Sequence, residues 1–127
     1  MSAAYTALNR IRLVKGGQDY FTLLEQMISG ARQTLHLQTY IYDEDATGTA
    51  VADCLKQAAS RGVKVYLMVD GYASQSLSSK FIRDLEDHQV YFRFFEPVFR
   101  SRYFYFGRRL HHKVLVVDSQ VALVGGI

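Results

Sequence analysis

Residues 111–127 read HHKVLVVDSQVALVGGI, and this stretch decides the fold expected for the chain. Two short apolar runs, 113–117 and 121–124, are separated by three polar residues, which is typical of a β-hairpin. His111 and Lys113 stand two residues apart. Because side chains alternate along a strand, both are expected on one face of the hairpin.

Upstream of the hairpin, short apolar runs alternate with segments of helical periodicity. The order β-α-β-α-β-α-β predicts an α/β domain with a mainly parallel, mixed sheet flanked by helices in two or three layers. All of 1–127 is expected to form one domain, with Gly62 ending the second helix. The predicted strands are 10–14, 34–42, 63–69, 90–95, 113–117 and 121–124, and the predicted helices are 19–32, 47–61 and 77–88.

The composition supports a packed domain but does not select a partner. Of 127 residues, 49% are hydrophobic and 13% aromatic, and the net charge is +3. A mildly basic chain suits anionic partners, and phospholipid and nucleic acid both qualify. The single cysteine, Cys54, excludes an internal disulfide. No apolar run approaches the roughly 20 residues that span a bilayer, so membrane contact by this segment is expected to be peripheral.

His111 and Lys113 offer phosphate chemistry. A neutral imidazole is a competent nucleophile near pH 7, and a lysine ammonium can bind phosphate oxygens and stabilise developing negative charge. Asp118, at the hinge of the hairpin, is expected to order the turn rather than to touch phosphate. Gly125 and Gly126 carry no side chain and would let the backbone approach a phosphate closely.

The spacing H-x-K-x4-D, followed by Gly-Gly-Ile, resembles the HKD motif of the phospholipase D superfamily at 111–118, and its form is similar to bacterial cardiolipin synthases. Looser similarity extends upstream through LQTYIY and RGVKV to VDGY. The resemblance implies exchange of phosphodiester bonds through a phosphohistidine. It makes His111, Lys113 and Asp118 the catalytic set, with phosphate bound by Lys113, Gly125 and Gly126. No cofactor and no metal are expected.

That family carries two motifs, and this chain shows one. The resemblance therefore implies the amino-terminal half of a two-motif enzyme, with an asparagine expected directly after Ile127. A missing carboxyl-terminal half, or a second chain, would supply the other motif. Whether His111 is the nucleophile or the general acid depends on that partner.

Residues 98–110 read VFRSRYFYFGRRL and interleave aromatic with basic side chains. Phe104, Phe106, Arg108 and Arg109 are candidates for peripheral contact with a membrane, where arginines pair with lipid phosphates. Packing of these aromatics on the sheet or on a missing half remains an alternative. The same composition would also suit stacking on nucleic-acid bases, which is the less favoured interpretation.

Three functions follow from these patterns. The leading one is a phosphatidyltransferase of cardiolipin-synthase type, acting on anionic phospholipid at the bacterial cytoplasmic membrane, peripherally or through anchors outside this chain. An alternative is a phosphodiesterase, either nuclease or phospholipase D, that completes its site by homodimerisation. The third is a non-catalytic fragment that binds phosphate or membrane. Asp70 ends a strand at an edge where ligand sites gather, but a turn-forming role is favoured for it.

Overall fold

The computed structural model describes residues 7–95 and 111–125 of the chain. Three α-helices and a five-stranded sheet make up this part. In chain order the elements are α1 (Gly17–Gly30), β1 (Thr34–Thr39), α2 (Ala46–Ser60), β2 (Lys64–Asp70), α3 (Ser79–Asp87), β3 (Val90–Phe95), β4 (Lys113–Val117) and β5 (Val121–Gly125).

The strands lie in the order β3-β2-β1-β4-β5. The β1–β2 and β2–β3 pairs are parallel, whereas the β1–β4 and β4–β5 pairs are antiparallel. The expected α/β class and the terminal hairpin are confirmed. The sheet is less parallel than predicted, because β4 of the hairpin pairs with the free side of β1 in the antiparallel direction.

Local sequence signals begin α2 and α3 and end α2. Asp45 caps α2 by accepting a hydrogen bond from the Gly48 amide at 2.7 Å, and Ser78 caps α3 in the same way. Gly62 has a φ of 93°, and its amide donates to the carbonyl of Ala59. The Val63 amide reaches back to Ala58, which completes a Schellman motif and confirms the predicted end of α2.

The described helices cover one face of the sheet. Alternate residues of β2 are buried against them, whereas Tyr66 points the other way. On that uncovered face the rings of His36, Tyr66 and Tyr91 stack in a row across three strands, with centroids 4.7 and 5.1 Å apart. Within the described residues the domain therefore has two layers. The core consists chiefly of aliphatic side chains, including Ile28, Leu35, Leu55, Leu67, Leu85 and Leu115.

The strand predicted at 10–14 is wrong. No strand forms there, and the side chains of Ile11 and Leu13 are 93% and 80% exposed. Alternating apolar residues favour a strand only where a neighbouring strand pairs with them. In the described residues β3 and β5 form the edges of the sheet, and neither pairs with this segment.

Candidate active site

His111 and Lys113 lie at the carboxyl edge of the three parallel strands. The antiparallel register pairs Val114 with Gln38, so Lys113 begins β4 where β1 ends. His111 is exposed and precedes the strand. Its ring lies against the ring of Tyr40, with centroids 4.7 Å apart and planes tilted by 55°. The edge that holds this pair is the one where open α/β sheets bind ligands.

Lys113 is half-buried beside Gly125 of β5, its register partner. A Cβ built on Gly125 would lie 3.2 Å from the Lys113 Cβ and 3.2 Å from the ring and hydroxyl of Tyr20. The space beside this glycine is thus filled by two side chains. A side chain at position 125 would crowd both Tyr20 and Lys113.

Sequence reasoning did not single out Tyr20, which lies with Lys113 beside Gly125. It occupies an apolar position of α1, where helical periodicity gives no sign of a nearby lysine. Because α1 leads into β1, the start of this helix lies at the same sheet edge as Lys113. Burial raises the pKa of the Tyr20 hydroxyl, which keeps it a neutral hydrogen-bond donor. Both residues line a cleft, together with Arg10, Arg12, Thr39 and Asp45.

Asp118 follows the other end of β4, at the edge where the parallel strands begin. Five residues along β4 separate it from Lys113, roughly 16 Å at about 3.3 Å per strand residue. Its carboxylate accepts hydrogen bonds from the amides of Arg32, Gln33 and Thr34, the shortest at 2.7 Å from Gln33. These amides, that of Gln33 foremost, hold the pKa of Asp118 below its usual range.

The backbone of Asp118 forms the same junction. Its amide donates to the carbonyl of Thr34 at 2.8 Å. Asp118 and Ser119 both have positive φ, 53° and 55°, as in the type I′ turns that favour hairpins. The carboxylate and this turn together fasten the hairpin to the start of β1.

Asp70 is completely buried at the end of β2. Its carboxylate accepts hydrogen bonds from the amides of Tyr72 and Ala73, at 3.1 and 2.9 Å. Gly71 donates to the carbonyl of Phe95 at 2.8 Å. These contacts match the favoured turn-forming role.

His36, His88 and Cys54 lie apart from Lys113. His36 belongs to the stacked row on the uncovered face, and the ring of His88 contacts the Asp84 carbonyl at 2.7 Å. Cys54 is partly buried in α2, and burial raises the pKa of its thiol. Within residues 7–95 and 111–125, no group of three or more His, Cys, Asp or Glu side chains is arranged to hold a metal ion.

Some predicted site residues fall outside the described part of the chain. These are Gly126 and the four candidates for membrane contact, Phe104, Phe106, Arg108 and Arg109. Among the described helices, none combines the length and the apolar character needed to cross a membrane.

The described residues place an imidazole, a lysine and a tyrosine hydroxyl at the same edge of the sheet. His111 offers an imidazole nitrogen at an exposed position, and Lys113, two residues along the chain, begins β4 at the same edge. Tyr20 adds a neutral donor next to Lys113. Such a set can bind a tetrahedral anion and attack or protonate one of its esters.

Comparison with known proteins places this chain in a family. A family model described as cardiolipin synthase, PLD-like domain, matches residues 24–127. Cardiolipin synthase B of Escherichia coli is 35% identical over 130 aligned positions, which cover all of this chain and 31% of that protein. The chain thus spans about a third of the length of the curated relatives it matches.

Solved structures share the fold at lower identity. NucT from Helicobacter pylori superimposes with a TM-score of 0.64 and 22% identity, covering 85% of this chain and 65% of that one. Nuc from Salmonella typhimurium, a phospholipase D family member, gives a TM-score of 0.55 and 19% identity over 77% of this chain and 57% of its own. With the match over residues 24–127, the chain belongs to the family of cardiolipin synthase PLD-like domains.

Proposed function

We propose that this chain supplies one half of the active site of a phosphatidyltransferase of cardiolipin-synthase type. The observation that carries the proposal is the placement of His111 and Lys113 together at the ligand-binding edge of the sheet, in a chain of this family. The substrates are anionic phospholipids, one as donor and a lipid alcohol such as phosphatidylglycerol as acceptor. The second half of the site comes from the remainder of the protein or from a second chain.

In the proposed reaction one motif histidine attacks the phosphorus of the donor phospholipid. A nitrogen–phosphorus bond forms, the phosphorus–oxygen bond to the leaving alcohol breaks, and the partner histidine gives that alcohol a proton. The acceptor alcohol then loses its proton to the partner and displaces the histidine from phosphorus. His111 is one of these two histidines.

Lys113 and its neighbours serve the phosphate. The Lys113 ammonium binds the non-bridging oxygens and stabilises the charge that builds up on them. Gly125 leaves space for the side chains of Lys113 and Tyr20 beside it, and Gly126 is proposed to extend this phosphate-binding edge. Asp118 acts at a distance as a positioning residue, because its contacts hold the hairpin that carries His111 and Lys113.

Substrate in a bilayer requires the site to reach a membrane surface. We assign this contact to the basic and aromatic segment that includes Phe104, Phe106, Arg108 and Arg109. The enzyme would then work at the bacterial cytoplasmic membrane as a peripheral protein, or through anchors outside this chain.

The proposal is tested with the purified full gene product and vesicles of phosphatidylglycerol, with cardiolipin and glycerol measured as products. His111→Asn is expected to lower the transfer rate at least 10³-fold, since it removes a reacting group. The matched control is His112→Asn, which removes the adjacent exposed histidine and should leave the rate within about threefold.

A second arm offers single-stranded DNA under the same conditions. Cleavage of DNA without any lipid product would replace the transferase by a phosphodiesterase. Undiminished lipid transfer by His111→Asn would remove His111 from the mechanism.

A further inference from the structure

Asp70 and Ser74 are the buried polar side chains of the described residues, and both are fully enclosed. They lie at the sheet edge that carries His111. The Asp70 carboxylate binds the amides of the turn that follows it, and its carbonyl accepts from the Ser74 amide at 3.0 Å. This turn brings the Ser74 hydroxyl back over the end of β1.

The Ser74 hydroxyl holds the backbone of residues 40–42. It donates to the carbonyl of Tyr40 at 2.9 Å and accepts from the amide of Tyr42 at 2.9 Å. The Asp70 amide also donates to the Tyr40 carbonyl, at 3.3 Å. Tyr40 therefore has its backbone fixed by two donors from the β2 end.

The ring of Tyr40 connects this buried network to the candidate site. It packs against the imidazole of His111, with centroids 4.7 Å apart. His111 is exposed and precedes β4, so the strand ladder does not hold its side chain. A packed ring limits rotation of the imidazole, and in-line attack on phosphorus needs one orientation of the reacting nitrogen.

We propose that Tyr40 is a positioning residue for His111, and that Asp70 and Ser74 act by fixing Tyr40. The inference rests on the proposed function. Asp70 and Ser74 then affect turnover through the ring of Tyr40. The Tyr40 hydroxyl is not required.

The test compares Tyr40→Leu and Tyr40→Phe in the full gene product, with phosphatidylglycerol vesicles as substrate. Loss of the ring in Tyr40→Leu is expected to lower kcat about 10- to 100-fold with KM changed less than about threefold, since orientation rather than binding is lost. Tyr40→Phe keeps the ring and should retain kcat within about threefold. Tyr40→Met is a second variant without the ring, used if Tyr40→Leu does not fold.

The matched control is Tyr91→Ala, which removes another tyrosine ring, 60% exposed and stacked on Tyr66 away from this edge. It should keep the wild-type kcat. Unchanged kcat in both variants that lack the Tyr40 ring would overturn the inference, as would an equal loss in Tyr40→Phe. An active His111→Asn enzyme would instead refute the proposed function, so the two failures are distinguishable.

Discussion

Gly125 shows how one missing side chain shapes the site. Its register partner is Lys113, and the position where a Cβ would stand is already crowded by Lys113 and Tyr20 at 3.2 Å. The sequence predicted this glycine as a place where backbone approaches phosphate. The structure adds a nearer reason for its small size, because the Lys113 Cβ and the Tyr20 ring occupy the space beside it.

Gly125→Ala is expected to lower the free energy of unfolding by about 1–3 kcal/mol, because the added methyl group would crowd the side chains of Tyr20 and Lys113. Chemical denaturation measures this change. The matched control is Gly30→Ala at the end of α1, where a Cβ would meet nothing within 4 Å. The control should be neutral or slightly stabilising, because alanine is a better helix former than glycine. Equal effects at both positions would contradict the crowding observed at Gly125.

Residues with local signals were predicted well, and residues whose role depends on distant neighbours were not. Gly62 ends a helix through its own φ and nearby carbonyls, so a short window of sequence contains the information. Tyr20 and Tyr40 gain their roles from Lys113 and His111, about ninety and seventy positions away along the printed sequence. Only the strand register brings these pairs together, and apolar periodicity cannot supply it.

Residues 111–118 run from the carboxyl edge of the parallel strands to the edge where these strands begin. His111 and Lys113 lie at the carboxyl edge. Asp118 binds the backbone at the start of β1 and so fastens the β4–β5 hairpin to it. The segment 10–14 illustrates the limit of pattern reasoning at this scale. Its apolar residues alternate as in a strand, but none of the described strands pairs with it. Ile11 and Leu13 are therefore exposed.

Because the charged Asp118 carboxylate holds the hairpin, we expect the free energy of unfolding to depend on pH. Its pKa is lowered in the folded protein by the amides of Gln33 and its neighbours. The stabilisation is therefore complete above the ordinary aspartate pKa of about 3.9 and is lost as the pH falls through the lower folded value. Asp118→Asn should unfold more easily than the wild type at pH 7, and this difference should shrink below about pH 3.9.

Urea titrations of both proteins between pH 7 and pH 3 measure the difference. Asp87→Asn is the matched control, since it removes an exposed carboxylate at the end of α3. A difference between wild type and Asp118→Asn that stayed constant across this range would contradict a role for the charged form.

At the scale of the whole molecule, the chain shows one motif and spans 31% of the length of Escherichia coli cardiolipin synthase B. The proposed reaction needs two histidines, one to attack and one to protonate the leaving alcohol. Within the described residues His111 is exposed at the carboxyl edge of the parallel strands.

The isolated 127-residue chain is therefore expected to convert phosphatidylglycerol at least about 10²-fold more slowly than the full gene product, the usual contribution of a general acid. Product formation on vesicles gives the rates, and sedimentation gives the oligomeric state. The isolated chain with His111→Asn sets the background. A strict monomer that worked at the full rate would rule out the half-site proposal.

The bonds made by Asp118 also bear on the order in which the chain folds. They join residues up to 86 positions apart, whereas α1, β1, α2, β2, α3 and β3 follow one another along the chain. Closing so long a loop carries an entropic cost, which is offset by the contacts that Asp118 and β4 make with β1 once β1 is in place. We therefore expect the hairpin to dock late, after the parallel strands have assembled. His111 and Tyr40 would then meet only in the last stage of folding, so a chain that is otherwise largely formed would not yet be able to react.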